Sequence, residues 1–230
     1  MPKAPDSKRL SRAYPWMRDY DEYIPIDRRG RCALDVIHNI IYLNTPRAAS
    51  SSCKTVMEAL GGKLCNHFEE RVNLDEYFTF AIIRDPVARF ISTFLFLSAG
   101  TRAMEYGTYK TDFYTHPALD AVKMDKFITE IEKDYWDPHT QPYCWWLTDK
   151  DFNLVELDHI FIADHDLAPT FESVFRSRLS IDLRFPCINS QPTEAKRLAE
   201  RLLADNPRFL HRIKTLYACD FELYHHVKEM

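Results

Sequence analysis

The sequence predicts an α/β fold with a central, mostly parallel sheet that helices cover on both faces. Three short segments rich in β-branched and aromatic residues predict strands at Val36–Leu43, Tyr77–Ile83 and His159–Ala163. Helical segments separate these strands along the chain, and parallel strands need connections of that length. A hydrophobic share of 46% and an aromatic share of 13% supply enough apolar surface for a packed core.

The first helix is predicted from local capping signals. The strand at Val36–Leu43 leads into the turn-like segment Asn44–Pro46, and a helix is expected to begin within Ala48–Ser52. The helix should end near Leu60, because Gly61 follows and glycine commonly terminates a helix.

The next helix begins where the second strand ends. That strand leads into Arg84-Asp85-Pro86, where Asp85 can cap a helix and Pro86 fits its first position. The apolar residues of 90–97 form the buried face of this helix, and the polar, aromatic stretch 100–121 is expected to be a loop or lid. Three later segments have helical patterns, the last of them broken at Asn206-Pro207: 124–133, 167–179 and 193–224.

The balance of charge excludes some classes of partner. The chain has 30 Lys and Arg against 34 Asp and Glu, which gives a formal net charge of -4. Such a protein is not built to hold nucleic acid by bulk charge, so any anion must bind in a local pocket. The start of the sequence does not resemble a signal peptide, and the longest apolar runs are too short to cross a bilayer.

The six cysteines lie far apart and form no CxxC pair, so the sequence predicts no metal site. An even count leaves a disulfide framework open. A chain of 230 residues does not need such cross-links, so we expect free thiols in a cytoplasmic protein. A luminal domain cut from a membrane anchor is the alternative.

Small and hydroxyl-bearing residues follow the first strand, in Thr45-Pro46-Arg47-Ala48-Ala49-Ser50-Ser51-Ser52. Small side chains let the backbone approach a ligand, and the amide groups at a helix start attract anions. The serine hydroxyls and the Arg47 guanidinium add donors for phosphate or sulfate oxygens. A serine-rich N-cap before an ordinary helix is the competing interpretation, and the Walker pattern GxxxxGK[ST] is absent.

A second junction suited to anions follows the next strand, in Arg84-Asp85-Pro86-Val87-Ala88-Arg89-Phe90-Ile91-Ser92. Arg84 leaves the strand at its carboxyl end, where ligands gather on open α/β sheets. Ser92 lies almost two turns into the helix, about 9 Å of axial rise from its start, so both side chains can reach one anion. The competing interpretation is a surface Arg84 paired with Asp85, and a Ser92 hydroxyl bonded to its own helix.

Both junctions resemble motifs of the sulfotransferase family. Residues 46–52 are similar to the 5′-phosphosulfate loop PKTGGTS, written PKTASTS in the glycosaminoglycan 2-O-sulfotransferases, and 84–92 is similar to the 3′-phosphate motif RDPxxRxxS. Three further features strengthen the likeness: the segment His139-Thr140-Gln141-Pro142, the acidic residue after the third strand, and the pattern LYxxDFxLY of 216–224. The resemblance covers about Val36–Tyr224.

The resemblance implies a P-loop-like three-layer α/β/α domain that takes a sulfuryl group from 3′-phosphoadenosine 5′-phosphosulfate (PAPS). It implies a hydroxyl-bearing acceptor, expected to be a glycan or another small molecule. On this interpretation 1–35 is an irregular lead-in, 36–230 is one domain, and 100–158 is an acceptor-binding insertion. The residues expected to bind the donor are Arg47, Ala48, Ala49, Ser50, Ser51, Ser52, Arg84 and Ser92.

The first motif departs from the family pattern at Arg47, where the family normally has the lysine that contacts the bridging oxygen and helps the nucleotide leave. Arginine keeps the charge but presents a rigid fork instead of a point charge. The departure therefore bears on rate more than on binding. Ala49 and Ser50 replace the glycines of the family loop.

The resemblance also suggests a general base. His67 lies between the two motifs, where the 2-O-sulfotransferases carry a catalytic histidine, and an exposed loop histidine is the competing interpretation. Glu69 or Glu70 can orient His67 or act instead, and His139 is the second choice. His38 lies inside a predicted strand and is expected to be structural.

Some residues and functions keep two interpretations. Trp145 and Trp146 suit a sugar-stacking surface, although core filling is favoured. Asp164 and Asp166 fit helix capping better than contact with substrate. A small phosphoryl-transfer enzyme is disfavoured by the missing Walker loop, and a non-catalytic nucleotide-binding homologue that lost turnover through Arg47 is the other alternative.

Overall fold

The computed structural model describes residues 32–65, 76–98, 119–133, 139–147, 156–187 and 193–229. The described strands are β1 (Cys32–Asp35), β2 (Ile40–Leu43), β3 (Lys63–Cys65), β4 (Phe78–Ile83) and β5 (His159–Ile162). The described helices are α1 (Ser50–Ala59), α2 (Pro86–Ser98), α3 (Ala121–Lys133), α4 (Tyr143–Trp146), α5 (Leu167–Leu179), α6 (Thr193–Asp205), α7 (Pro207–Leu216) and α8 (Ala218–Glu229).

The described elements belong to two compact units. The sheet unit contains β1 to β5, α1, α4, α5 and the part of α8 from Glu222. The helical unit contains α2, α3, α6, α7 and the part of α8 that ends at Phe221. The division into a lead-in, one domain and an acceptor-binding insertion stays a prediction.

The five strands form one sheet in the order β3-β1-β2-β4-β5. β2 pairs in parallel with β4, and β4 pairs in parallel with β5. β1 is antiparallel to both of its neighbours, β2 and β3. Four of the five strands therefore run in one direction, which confirms the mixed α/β class and the mostly parallel sheet.

The first strand was expected to span Val36–Leu43, and this is wrong in its first half. Residues Val36 to Asn39 form a turn that joins β1 to β2. The buried Asp35 carboxylate accepts hydrogen bonds from the N–H groups of Ile37 (2.9 Å) and His38 (3.2 Å), and Asn39 has φ 55°. A buried acceptor and a left-handed asparagine thus turn the chain. Residues 32–35, assigned to the irregular lead-in, form β1 instead.

Helix α1 ends as its sequence predicts. Gly61 has φ 94°, its N–H donates to the Glu58 carbonyl (3.0 Å), and the Gly62 N–H donates to the Met57 carbonyl (2.8 Å). This pair of bonds is a Schellman motif, which needs a left-handed residue that glycine adopts without steric cost.

The core of the sheet unit lies on β2, β4 and the helices α1 and α5. Every residue of β2 and β4 is buried, as expected for strands in the middle of a mostly parallel sheet. Phe80 packs edge-on against the rings of Phe161, Phe171 and Phe175, with centroids 5.5–5.7 Å apart. Leu223 of α8 belongs to the same core.

The helical unit has its own apolar contacts. Phe90 and Phe94 of α2 pack on Phe127 of α3, with ring centroids 5.6 and 5.4 Å apart. The Arg212 guanidinium of α7 donates to both carboxylate oxygens of Glu132 in α3, at 2.7 and 2.6 Å. The apolar face predicted for 90–97 is confirmed as a buried surface.

Several predicted boundaries need correction. The segment 124–133 is helical, but α3 already begins at Ala121, inside the predicted loop. The predicted C-terminal pair is three helices, because a second break at Tyr217 follows the expected one at Asn206, and α8 continues to Glu229. β3 and α4 were not predicted. Most of the predicted loop 100–121 lies outside the described residues.

None of the helices in the described ranges is both long and apolar enough to cross a membrane.

Candidate functional site

The carboxyl ends of β2, β4 and β5 lie at one edge of the sheet. The parallel registers pair Leu43 with Ala81 and Ile83 with Ile162. The segments that begin at Asn44, at Arg84 and at Ala163 therefore leave the sheet at the same edge, where open α/β sheets bind ligands. The structure brings the first predicted motif and Arg84 to this edge.

The loop between β2 and α1 has an unusual backbone. Arg47 has φ 66° and Ala49 has φ 55°, which places two residues with side chains in the left-handed region. That conformation costs an L-residue about 1–2 kcal/mol. Ala49 is also the N-cap of α1, and it makes no side-chain cap hydrogen bond. Strained backbone of this kind clusters at ligand-binding sites, so the loop is a functional candidate.

The serine residues of the motif open helix α1. Ser50, Ser51 and Ser52 are its first three residues, and they are half-buried, exposed and buried in that order. The first hydrogen bond to the cap residue runs from the Cys53 N–H to the Ala49 carbonyl (3.0 Å). Because the dipole of the helix is positive at this end, the loop and the first turn favour an anion. The ordinary N-cap interpretation is not supported, since the cap residue is an alanine.

Buried polar groups hold the start of this loop in place by hydrogen bonds. Thr45 is fully buried, and its hydroxyl donates to the carbonyl of Ile82 on the neighbouring strand. The Tyr42 hydroxyl donates to the Asn44 side-chain oxygen (3.4 Å). Burial raises the pKa of the Cys53 thiol well above its usual value, although the neighbouring Lys54 opposes the shift. Cys53 therefore stays protonated and serves as a packing residue.

Arg84 is half-buried at the same edge of the sheet. Among the described residues of the sheet unit, none forms a hydrogen bond or ion pair with its guanidinium. In the helical unit, the Asp85 carboxylate accepts a hydrogen bond from the Ala88 N–H (2.8 Å) and caps α2. Asp85 thus has the predicted role of helix cap. The competing interpretation of a surface Arg84–Asp85 pair stays a prediction.

Ser92 and Arg89 of the second motif both lie on α2 in the helical unit, and both are buried. Arg89 forms an ion pair with Asp220 of α8, with 3.2 Å between nitrogen and oxygen. Both side chains are almost completely withdrawn from solvent, at 3% and 0% exposure. The Arg89 side chain is thus committed to holding the helical unit together.

Arg89 also holds the segment 139–141. Its guanidinium donates to the carbonyls of His139 (3.3 Å) and Gln141, and the Tyr217 hydroxyl donates to the Thr140 carbonyl (2.8 Å). The Thr93 hydroxyl donates to the His139 carbonyl as well (3.2 Å). Within the helical unit, Arg89 thus joins parts of three features that carry the resemblance: the second motif, the segment 139–141 and the residues Tyr217 to Asp220.

The sequence reasoning missed this role of Arg89. The sequence held two signals for this role. Arg89 directly precedes the apolar run of 90–97, and Asp220, which the structure buries, stands between Cys219 and Phe221. Charges at such positions need a partner. The partner itself lies 131 residues away and could not be read from the local pattern.

The structure describes only some of the histidine and glutamate residues that were considered as the general base or as structural residues. The His139 ring lies half-buried against Phe96, with centroids 4.9 Å apart. His67, Glu69 and Glu70 lie outside the described residues. His38 lies in the β1–β2 turn rather than in a strand, and its Nδ1 is 2.6 Å from the Asp35 carboxylate. A structural role for His38 is consistent with this contact.

Comparison with known proteins gives the family. The model of the sulfotransferase family matches residues 33–226, which is most of the chain. The chain belongs to the sulfotransferase family. No curated protein and no solved structure matches it. Membership implies a transferase that moves sulfuryl groups to a hydroxyl-bearing acceptor, and members of the family generally use PAPS as the donor.

Two secondary interpretations can now be compared with the structure of this sulfotransferase. Tyr143 and Trp145 are buried, and Trp146 packs against the core of the sheet unit, so core filling is the better account of this segment. The Asp164 carboxylate accepts a hydrogen bond from the Asp166 N–H (3.0 Å), which is a turn contact. Asp166 is the N-cap of α5 but makes no side-chain cap bond.

Replacing Ala49 by glycine is expected to raise the free energy of unfolding by about 0.5–1 kcal/mol. Relief of a left-handed alanine is worth about 1–2 kcal/mol, and the extra freedom of glycine in the unfolded chain offsets part of it. Ala59→Gly is the matched control, because Ala59 is the exposed last residue of the same helix and has ordinary helical backbone angles. This variant should lower the free energy of unfolding by up to about 1 kcal/mol. Urea denaturation compares the two variants. Equal losses in both would contradict the left-handed assignment.

Proposed function

We propose that this sulfotransferase transfers a sulfuryl group from PAPS to a hydroxyl of an acceptor, with a carbohydrate as the expected acceptor class. The observation that carries the proposal is the strained loop between β2 and α1 at the carboxyl edge of the sheet, beside the half-buried Arg84. The parallel strands and the loop before α1 also support the finer description of the fold as a P-loop-like three-layer domain.

The first motif is proposed to hold the 5′-phosphosulfate. The left-handed residues Arg47 and Ala49 bend the backbone before α1, and bends of this kind expose successive amide groups to an anion. The positive end of the α1 dipole and the hydroxyls of Ser50, Ser51 and Ser52 add to the attraction. Ala48 is buried in the loop, and its small side chain suits a close approach of the backbone.

The second motif is proposed to contact the 3′-phosphate through Arg84 and Ser92. Arg84 is a half-buried guanidinium at the ligand edge of the sheet, and Ser92 is a buried hydroxyl on α2. A guanidinium recognises phosphate oxygens with two parallel hydrogen bonds, and a hydroxyl can donate one more. Arg89 is not assigned to the nucleotide, because Asp220 and two carbonyls occupy its guanidinium.

Sulfuryl transfer needs an in-line hydroxyl and neutralisation of the charge that develops on the leaving nucleotide. Arg47 is proposed to stabilise that charge near the bridging oxygen. His67 is proposed to accept the proton of the acceptor hydroxyl, with His139, Glu69 and Glu70 as the other candidates. The bond from sulfur to the bridging oxygen breaks as the bond from sulfur to the acceptor oxygen forms.

A non-catalytic nucleotide-binding homologue is the second candidate function, and the presence of Arg47 at the lysine position is the observation that favours it. The family match favours sulfuryl transfer over the alternative of a small phosphoryl-transfer enzyme. Binding of the nucleotide cannot separate an enzyme from a non-catalytic homologue, whereas turnover can.

The test of the proposed function is an acceptor screen with PAPS labelled in the sulfuryl group. Glycan and small-molecule acceptors are incubated with the full chain, and transfer of label is measured. Transfer to one acceptor class, reduced at subsaturating PAPS in Arg84→Ala, is the result that the proposal predicts. Binding of adenosine 3′,5′-bisphosphate without transfer to any acceptor would contradict the proposal and favour the non-catalytic function.

Arg84→Ala is expected to weaken the binding of adenosine 3′,5′-bisphosphate by roughly 1.5–3 kcal/mol, because it removes hydrogen bonds to a charged group. Ser92→Ala should cost less, on the order of 1 kcal/mol. Arg178→Ala, on the exposed surface of α5, is the matched control and should leave binding unchanged. Isothermal titration calorimetry measures all three. An Arg84→Ala protein with the affinity of the parent would mean that the resemblance of 84–92 is accidental.

A further inference from the structure

One side of helix α2 holds His139 in a fixed position. Arg89, Thr93 and Phe96 lie one helical turn after another, so their side chains leave α2 on the same side. The Arg89 guanidinium and the Thr93 hydroxyl both donate to the His139 carbonyl, at 3.3 and 3.2 Å. The His139 ring packs on the ring of Phe96, with centroids 4.9 Å apart. The backbone and the side chain of His139 are therefore both held against α2.

The two residues that follow His139 are anchored as well. Arg89 also donates to the Gln141 carbonyl, and the Tyr217 hydroxyl donates to the carbonyl of the buried Thr140 (2.8 Å). Three consecutive carbonyls of the chain thus accept hydrogen bonds from side chains of the helical unit. A side chain on a backbone that is fixed in this way loses little conformational freedom when it binds a ligand, which is what a preorganised site requires.

Ser92 lies on the same side of α2 as these residues. It follows Arg89 by three positions and precedes Phe96 by four, and residues at such spacings have Cβ atoms about 5–6 Å apart on a helix. Ser92 is buried, while Phe96 and His139 are half-buried. The ring of His139 therefore packs on the helical neighbour of the serine that is proposed to contact the 3′-phosphate.

We propose that His139 is a further residue of the 3′-phosphate site and that its ring N–H donates to a phosphate oxygen beside the Ser92 hydroxyl. The inference rests on the proposed function, because it takes the position of the 3′-phosphate at Ser92 from there. A neutral imidazole has one N–H donor, and a protonated imidazole has two. Hydrogen bonds to a charged phosphate are stronger than those between neutral groups, so this donor adds to the affinity for the nucleotide.

The chemistry of PAPS separates this role of His139 from that of a general base. The 3′-phosphate and the 5′-phosphosulfate are attached to different carbons of the ribose, and the acceptor hydroxyl attacks the sulfur of the 5′ group. A base must lie within about 2.6–3.2 Å of that hydroxyl or reach it through one water. A residue that contacts the 3′-phosphate contributes to the affinity for the nucleotide, whereas the base contributes to turnover.

Isothermal titration calorimetry with the full chain tests the inference. His139→Ala should bind adenosine 3′,5′-bisphosphate at least about tenfold more weakly than the parent, the scale of one hydrogen bond to a charged group. Its affinity for adenosine 5′-monophosphate should be unchanged, which also shows that the variant is folded. His139→Gln keeps an N–H donor and should lose less affinity. His211→Ala, which changes an exposed histidine on α7, is the matched control and should bind both nucleotides as the parent does.

The possible failures are distinguishable. A parent that prefers the bisphosphate, together with a His139→Ala variant of the same affinity, would overturn the inference and leave the proposed function intact. Lower turnover of PAPS in His139→Ala with unchanged affinity for the bisphosphate would also overturn it and would make His139 the base. A parent that binds the two nucleotides equally would contradict the 3′-phosphate assignment, and the role of His139 would fall with it.

Thr93→Val tests whether the anchored backbone positions the ring. The substitution removes the hydroxyl that donates to the His139 carbonyl and keeps a side chain of similar size. It should weaken binding of the bisphosphate by less than His139→Ala does and leave binding of the monophosphate unchanged. Equal losses for the two nucleotides would indicate a general loosening of the helical unit and contradict the positioning role of Thr93.

Discussion

Replacing Arg89 by methionine is expected to lower the free energy of unfolding of the helical unit by about 3–5 kcal/mol. The substitution leaves the Asp220 carboxylate, which is fully buried, without its positive partner. It also removes the donor to the carbonyls of His139 and Gln141. A buried charge without a partner is costly because the interior cannot replace the hydration that the charge lost. Urea denaturation followed by circular dichroism measures the loss.

A matched control and a double variant make this prediction specific. Arg201→Met changes an exposed arginine on α6 and should alter stability by no more than about 0.5 kcal/mol. Arg89→Met combined with Asp220→Leu removes both charges, so it should cost less than the sum of the two single changes. Additive losses, or an Arg89→Met protein as stable as the control, would show that the ion pair does not hold the unit together.

Arg47→Ala is expected to lower the turnover number by about 10²-fold or more, the scale for removing one donor at a developing charge. Arg47→Lys should raise turnover or leave it unchanged without tightening the nucleotide. The guanidinium can bind two oxygens in the ground state, but only interactions that strengthen in the transition state accelerate the reaction. Single-turnover rates with saturating PAPS, and an acceptor from the screen, measure the effect.

The left-handed backbone at Arg47 calls for a third variant. Arg47→Gly removes the guanidinium but adopts φ 66° without steric cost. If charge at this position matters, Arg47→Gly and Arg47→Ala should lose turnover equally, and Arg178→Ala should lose none. Full turnover in the glycine variant would assign the role to loop geometry. Full turnover in the alanine variant would place Arg47 outside the reaction centre.

The parts of the fold that the sequence predicted are those with local signals. The apolar run of β4, the Asp85 cap and Pro86 at the first position lie within nine residues, and α2 begins at Pro86 as expected. Helix α5 has the predicted bounds, Leu167–Leu179. Helix α1 ends at a glycine whose φ of 94° explains why glycine stands there.

The missed parts depend on distant contacts. β3 has three residues and no apolar pattern, so only its pairing with β1 defines it as a strand. The break at Tyr217 has no helix-breaking residue, but the Tyr217 hydroxyl bonds to Thr140, 77 positions earlier. The turn at Val36 to Asn39 was hidden by its two apolar residues, although Asn39 was a local signal for it.

The candidate site was predictable in its residue types and less so in its geometry. The small and hydroxyl-bearing residues between β2 and α1 indicated an anion loop. Their pattern did not indicate that Arg47 and Ala49 are left-handed, because residues with a side chain other than Asn and Asp rarely adopt that conformation. Whether the donor is PAPS, which residue is the base and whether the protein is cytoplasmic or luminal stay predictions.

The most direct test of the central claim compares three nucleotides by isothermal titration calorimetry with the full chain. Adenosine 3′,5′-bisphosphate should bind at least about tenfold more tightly than adenosine 5′-monophosphate, because hydrogen bonds from Arg84 and Ser92 to a phosphate are worth about 1.5–3 kcal/mol. Adenosine 2′,5′-bisphosphate carries the same phosphate groups at a different position and should bind more weakly than the 3′,5′ isomer. Equal affinities for all three nucleotides would contradict recognition of a 3′-phosphate, and with it the proposal that PAPS is the donor.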